Sequence, residues 1–157
     1  MVKKHKRIKL PEYETQYLTV DDWEFTFSFG INNTNFDLGY YSEYNELIIY
    51  GKIITEGFKY HPAYELIIIG DTLLDCHNDL QKNHKGLPIS VGSLQADKEK
   101  STHIFLSIPQ RSLNLLIPAL IANKFQEIYL YCTKIKWKKA SIVNYHLSTK
   151  ITDEEDK

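Results

Sequence analysis

The chain has 157 residues, 43% of them hydrophobic, and a formal net charge of −1 from 19 basic and 20 acidic side chains. That length suits one domain with a core that needs no staple, and near-neutrality excludes a whole-molecule field able to hold a polyanion or an anionic membrane surface. Seven glycines and five prolines against 13% aromatic residues exclude a disordered or low-complexity chain.

Residues 1–12 read as a basic tail carrying Lys3, Lys4, Lys6, Arg7 and Lys9. A secretory leader would continue into an apolar run, whereas Leu10 is followed by Pro11, Glu12 and Glu14. Residues 150–157, with Asp153, Glu154, Glu155 and Asp156, read as an acidic tail, and 13–149 as a single β-rich domain. The longest apolar stretches, 66–69 and 115–122, fall well short of the roughly 20 residues that span a bilayer. These features predict a cytoplasmic protein without a membrane segment.

Trp23, Phe25, Phe27 and Phe29 alternate with Glu24, Thr26 and Ser28, a period of two that predicts a strand with four aromatics on one face. Gly30 and the run Asn32, Asn33, Thr34, Asn35 supply turn chemistry before the next extended piece at Tyr40 and Tyr41. Two β-branched runs, 47–54 and 63–69, flank Gly57, His61 and Pro62 and predict a hairpin with a several-residue loop. Both runs are apolar on both parities, which predicts strands covered on both faces. The polar stretch 71–85 reads as a long connection. Extended character returns at 89–94 and 103–108, around a charged turn at 95–102.

Leu113, Leu116, Ile117, Leu120 and Ile121 then recur at helical spacing, with Ser107 and Gln110 as a capping box, Pro109 in the first turn and Asn123 after the end. Pro118 removes one backbone donor from the middle, which predicts a kink or a later start. Residues 127–132 and 140–147 close the chain as a pair of strands. The pattern is α+β: a mainly antiparallel β-sheet or β-sandwich with one late amphipathic helix packed on it.

Three constellations carry candidate chemistry. Asp75, Cys76 and His77, with Asp71 and His84 nearby, hold the groups that bind zinc or pair a nucleophile with a base. They lack the paired-ligand spacing of zinc motifs, so a polar loop with an incidental thiol is the simpler reading, and no metal or cofactor is expected. Cys132 alternates with Ile128 and Leu130 and reads as a small buried hydrophobe.

Lys134, Lys136, Lys138 and Lys139 surround Trp137, and cations beside a stacking ring are how single-stranded nucleic acids are held. Alternation sets Ile135 and Trp137 opposite Lys134, Lys136 and Lys138, which predicts a core tryptophan and makes nucleic acid the less favoured partner. Tyrosines are the third group: Tyr40, Tyr41 and Tyr44 cluster, and Tyr60 and Tyr64 flank His61, a residue type suited to interfaces and sugar platforms. The preferred expectation is a non-catalytic binding or protein-interaction module of bacterial or phage-like composition. Its expected partner is a protein or a second copy, met through an exposed sheet edge or the apolar helix surface at Leu115. The alternative is a small hydrolase-type enzyme with its site near Cys76 and His77.

Overall fold

The computed structural model describes residues 11–31, 41–71, 90–122 and 124–148, with 41 and 42 described by backbone only. Its elements are β1 (Tyr13–Thr19), β2 (Asp22–Ile31), β3 (Tyr41–Lys52), β4 (Ala63–Asp71), β5 (Gly92–Gln95), β6 (Thr102–Pro109), α1 (Gln110–Ile121), β7 (Glu127–Thr133) and β8 (Lys139–Ser148). The strands form one sheet in the order β1-β7-β8-β5-β6-β4-β3-β2, antiparallel throughout except for β4 beside β6. The predicted mainly antiparallel sheet with a late helix is thus what the chain forms.

β1 and β2 stand at opposite ends of that order, yet only Val20 and Asp21 separate them in the chain. A link that short spans roughly 10 Å, so the two edges must meet there and the sheet curls onto itself. Leu18 bridges Ile53, the Ile54 amide donates to the Tyr17 carbonyl at 2.8 Å, and the Asp21 amide donates to the Tyr50 carbonyl at 2.9 Å. The buried Tyr64 fastens the corner from β4, its hydroxyl donating to the Thr19 carbonyl at 2.5 Å. Gly51 permits the approach: a Cβ there would lie 2.1 Å from the Thr19 carbonyl oxygen.

Curling directs one parity of the strands inward. Leu18, Leu47, Ile49, Leu66, Ile68, Leu94, Ile104, Leu106, Ile128, Leu130 and Ile142 form one buried cluster, each side chain worth about 1.5–3 kcal/mol of burial. Ile142, Tyr145 and Leu147 all pack on this core although 142 and 145 differ in parity. The register shift opposite Tyr131 and Cys132 explains it, because Val143 enters β8 as an extra residue and resets the alternation. The expectation that β3 and β4 are covered on both faces is corrected: Ile48, Tyr50, Glu65 and Ile67, on the outward parity, are only half-buried. Among the described residues the sheet has one core, and no second layer of strands or helices covers the outward parity of β3 and β4.

α1 lies against β4 and β6 and buries Leu113 and Leu120. It starts at Gln110 with Pro109 as the N-cap, no side chain caps it, and Ser107 belongs to β6, so the predicted capping box does not form. The helix runs through Pro118 rather than starting after it. Leu115 is 75% exposed and Ile121, expected on the buried stripe, is 66% exposed.

β1 escaped the strand pattern because its inward residues include Glu14 and Gln16 beside Leu18, which erases hydrophobic alternation. Glu14 has inward work of its own: its carboxylate accepts from Gln16 and from the Ile135 amide, both at 3.1 Å.

Candidate functional site

Residues paired across antiparallel strands project to the same face. Tyr17 pairs with Tyr129 and Tyr129 with His146; Thr15 pairs with Tyr131 and Tyr131 with Asn144; Tyr13 pairs with Thr133. All lie on the parity opposite to Leu18, Ile128, Leu130 and Cys132, so β1, β7 and β8 carry a tyrosine-rich patch on the outside of the curl. Tyr13 and Tyr131 stack with centroids 5.2 Å apart and planes 17° apart, Tyr17 meets Tyr129 edge-on at 5.2 Å, and Tyr129 leans on His146 at 5.9 Å. Tyr13, Tyr17 and Tyr131 remain 36–44% exposed. Contacts of this kind fix the rings in place without hiding them.

Along β7 and β8 the same face passes from tyrosines to lysines. The tip is a two-residue hairpin in which Lys136 and Lys139 exchange backbone hydrogen bonds at 2.9 and 3.0 Å. Trp137 and Lys138 occupy the turn with φ of 54° and 65°. Positive φ at both central positions is the type I′ geometry that Asn-Gly adopts readily, and it costs an L-residue with a bulky side chain on the order of 1 kcal/mol. Trp137 is 96% exposed. The expectation of a core tryptophan is therefore corrected: alternation ends where the turn begins, and only Ile135 packs inward.

The lysines differ in their partners. Lys134 reaches Glu12 at 3.1 Å, and Lys138 reaches Asp97 at 3.4 Å. The amides of Glu99 and Lys100 donate to Asp97 and, with Lys138, hold its carboxyl down at about 2. Among the described residues no carboxylate pairs with Lys136 or Lys139. A cavity of about 470 Å³ opens beside them, lined by Gln95, Thr133, Lys134, Lys136, Lys139 and Ser141 among others. A second, of about 900 Å³, lies over Tyr17, Tyr129 and His146.

The other candidates fall elsewhere. Asp75, Cys76, His77, His84 and Tyr40 lie outside the described residues, and of Tyr41 only the backbone is described. Tyr44 is exposed near the start of β3, its hydroxyl bonded to Glu46, which raises its pKa. Tyr60 and His61 belong to the loop after the far end of that strand, roughly 25 Å away at strand rise, so Tyr44 and Tyr60 do not form one site. Tyr60 packs on Phe58, and His61 serves the loop: its amide donates to the Asp97 carbonyl at 2.8 Å and its Nδ1 accepts from the Ala63 amide at 3.3 Å.

Cys132 is fully buried as expected, its thiol donating to the Glu14 carbonyl at 3.6 Å and pushed up to about 12, first by burial and then by Glu14. Among the described residues no cluster of His, Cys, Asp and Glu is arranged to hold a metal, and no helix is long and apolar enough to cross a membrane.

Sequence reasoning did not group Tyr13, Tyr17, Tyr129, Tyr131 and His146 because β1 lies far in the chain from the adjacent strands β7 and β8. The available signal was the outward parity of β7: once 128, 130 and 132 are read as inward, Tyr129 and Tyr131 are bound to face out. No family model, curated protein or solved structure matches this chain.

Proposed function

We propose that the chain is a non-catalytic binding module whose ligand rests on the outer face of β1, β7 and β8. The observation that carries this reading is the set of exposed tyrosine rings held by contacts with one another on one strand face. Rings already fixed lose little freedom when a ligand covers them, which is the economy used by tyrosine-rich recognition surfaces. The test is capture from a lysate of the native host with tagged wild-type protein and with a Tyr13→Ser, Tyr17→Ser, Tyr131→Ser variant, with the captured species identified by mass spectrometry. A defined ligand held by the wild type and lost by the folded variant is expected. Equal capture by both, or by neither, overturns the reading.

Self-association is a second reading, favoured by β2. Phe25, Phe27, Phe29 and Ile31 are 36–67% exposed on one parity, and among the described residues β2 has a strand neighbour, β3, on one side. Two copies of such a strand pair antiparallel across a two-fold axis without needing a different partner surface. Light scattering should then give a dimer that Phe27→Lys converts to monomer; a wild-type monomer at high concentration removes this reading.

A further inference from the structure

We propose that the ligand of the outer face is a single-stranded nucleic acid, its phosphates drawn to Lys136 and Lys139 and its bases stacked on Trp137 and the tyrosines. The inference rests on the reading of that face as the binding surface and names what it binds.

The hairpin tip carries the argument, because three of its features work against the isolated protein. Trp137 and Lys138 sit at positive φ where Asn-Gly would be relaxed. Trp137 exposes 96% of its surface, so the fold gains nothing from its ring. Lys136 lies directly opposite Lys139 in an antiparallel bridge, a like-charge pair that repels across the strands, and among the described residues no carboxylate offsets it. An anion between the two lysines turns that repulsion into attraction, and a ring stacked on Trp137 covers its exposed face. Strain and exposure retained together point to a contact made outside the fold.

The ligand must supply phosphates and flat rings repeatedly. The tip, the cavity with Lys134, Lys136 and Lys139, and the tyrosines follow one another along β7 and the turn that continues it, a strip roughly 25 Å long at strand rise. That matches a run of a few nucleotides, the small end of sites on β-sheet surfaces that bind single strands. A duplex buries the faces of its bases in its own stack and offers the rings nothing, so the strand must be unpaired. An acidic peptide would satisfy the lysines and leave Trp137 and the tyrosines uncovered.

The test is fluorescence anisotropy of labelled oligothymidylate and oligouridylate, about 15 nucleotides long, with full-length protein, and with polyglutamate as competitor. Binding at about 50 mM salt is expected, weakening as salt rises with a log–log slope of about −0.7 per phosphate neutralised. Trp137→Ala should weaken binding roughly tenfold, with Trp137→Phe restoring most of it. The Lys136→Ala, Lys139→Ala double variant should weaken it at least roughly tenfold and flatten the salt slope, with arginine at both positions restoring it.

No binding of either oligonucleotide, or equal displacement by polyglutamate, overturns the nucleic-acid inference. If tyrosine-dependent capture from lysate persists in that case, the surface reading survives it. Binding that is lost on Tyr13→Ser, Tyr17→Ser, Tyr131→Ser but indifferent to the tip variants overturns the part assigned to Trp137 and the lysines. Binding indifferent to both sets overturns the surface reading and the inference together.

Discussion

β2 carries Trp23, Phe25, Phe27 and Phe29 on one face, and β1, two positions upstream, sends a glutamate, a glutamine and a single leucine inward; the greasier of the two strands is the more exposed. The reason lies in their neighbours. β3 pairs with β2 from Tyr41 to Tyr50 but with β4 only from Glu46 to Lys52, so the first half of β3 and the second half of β2 run past the rest of the sheet as a two-stranded arm. Phe27, Phe29 and Ile31 continue the inward parity of β3 beyond the point where the core ends. β1 lies between β7 and the end of β3 and is enclosed whatever its composition. Alternation reports that a segment is a strand; only the length of its neighbours decides what the alternating side chains meet.

The largest effect should come from the corner that encloses β1. Gly51→Val forces a side chain into the Thr19 carbonyl and should lower stability by about 3 kcal/mol or more, read from urea unfolding. Leu18→Ala should cost about 2.5 kcal/mol through its cavity, while Phe27→Ala, removing a larger ring, should stay within about 0.5 kcal/mol. Equal losses from these two would break the comparison. Tyr64→Phe should cost about 1 kcal/mol by leaving the Thr19 carbonyl without its donor.

The last effect is one of pH. Cys132 is raised from 9.0 to about 12 in the folded chain and Tyr64 is raised above 10.0, both chiefly by burial. A raised folded pKa favours the protonated native state, so this stability is whole below pH 9 and is lost as pH climbs toward 12. The urea midpoint should therefore fall across that window, and Cys132→Ala should flatten its lower part.

Most of the fold was legible because several strand signals survive in the chain: β2 showed a period-two run of aromatics, β3 and β4 were β-branched runs, and β5 to β8 were extended segments bounded by turn residues. β1 was illegible because Glu14 and Gln16 occupy inward positions: Glu14 accepts from the Gln16 side chain and the Ile135 amide, while the Gln16 Oε1 is buried with no hydrogen-bond partner among the described residues. The corner was illegible for a different reason, since closure is a relation between both ends of the strand order and leaves no local trace beyond Gly51. The candidate surface was half legible. The lysines and Trp137 stood out as a group, but a two-residue turn stops alternation, and the parity argument carried Trp137 into the core one residue too far. The tyrosines of β1 and β7 became a cluster only when the register set them side by side.

Closure of the sheet by β1 also orders events in time. Tyr13 pairs with Thr133, 120 positions later, whereas β2, β3 and β4 form a meander of adjacent pairs. Local pairings close short loops and come first, and the distant one waits for both partners. As the chain leaves the ribosome, residues 13–19 emerge before the other described strands and dock among the last, after β7 has appeared. For that interval the polar inward face of β1 is an advantage, since a segment bearing Glu14 and Gln16 can wait in water without seeking the wrong partner.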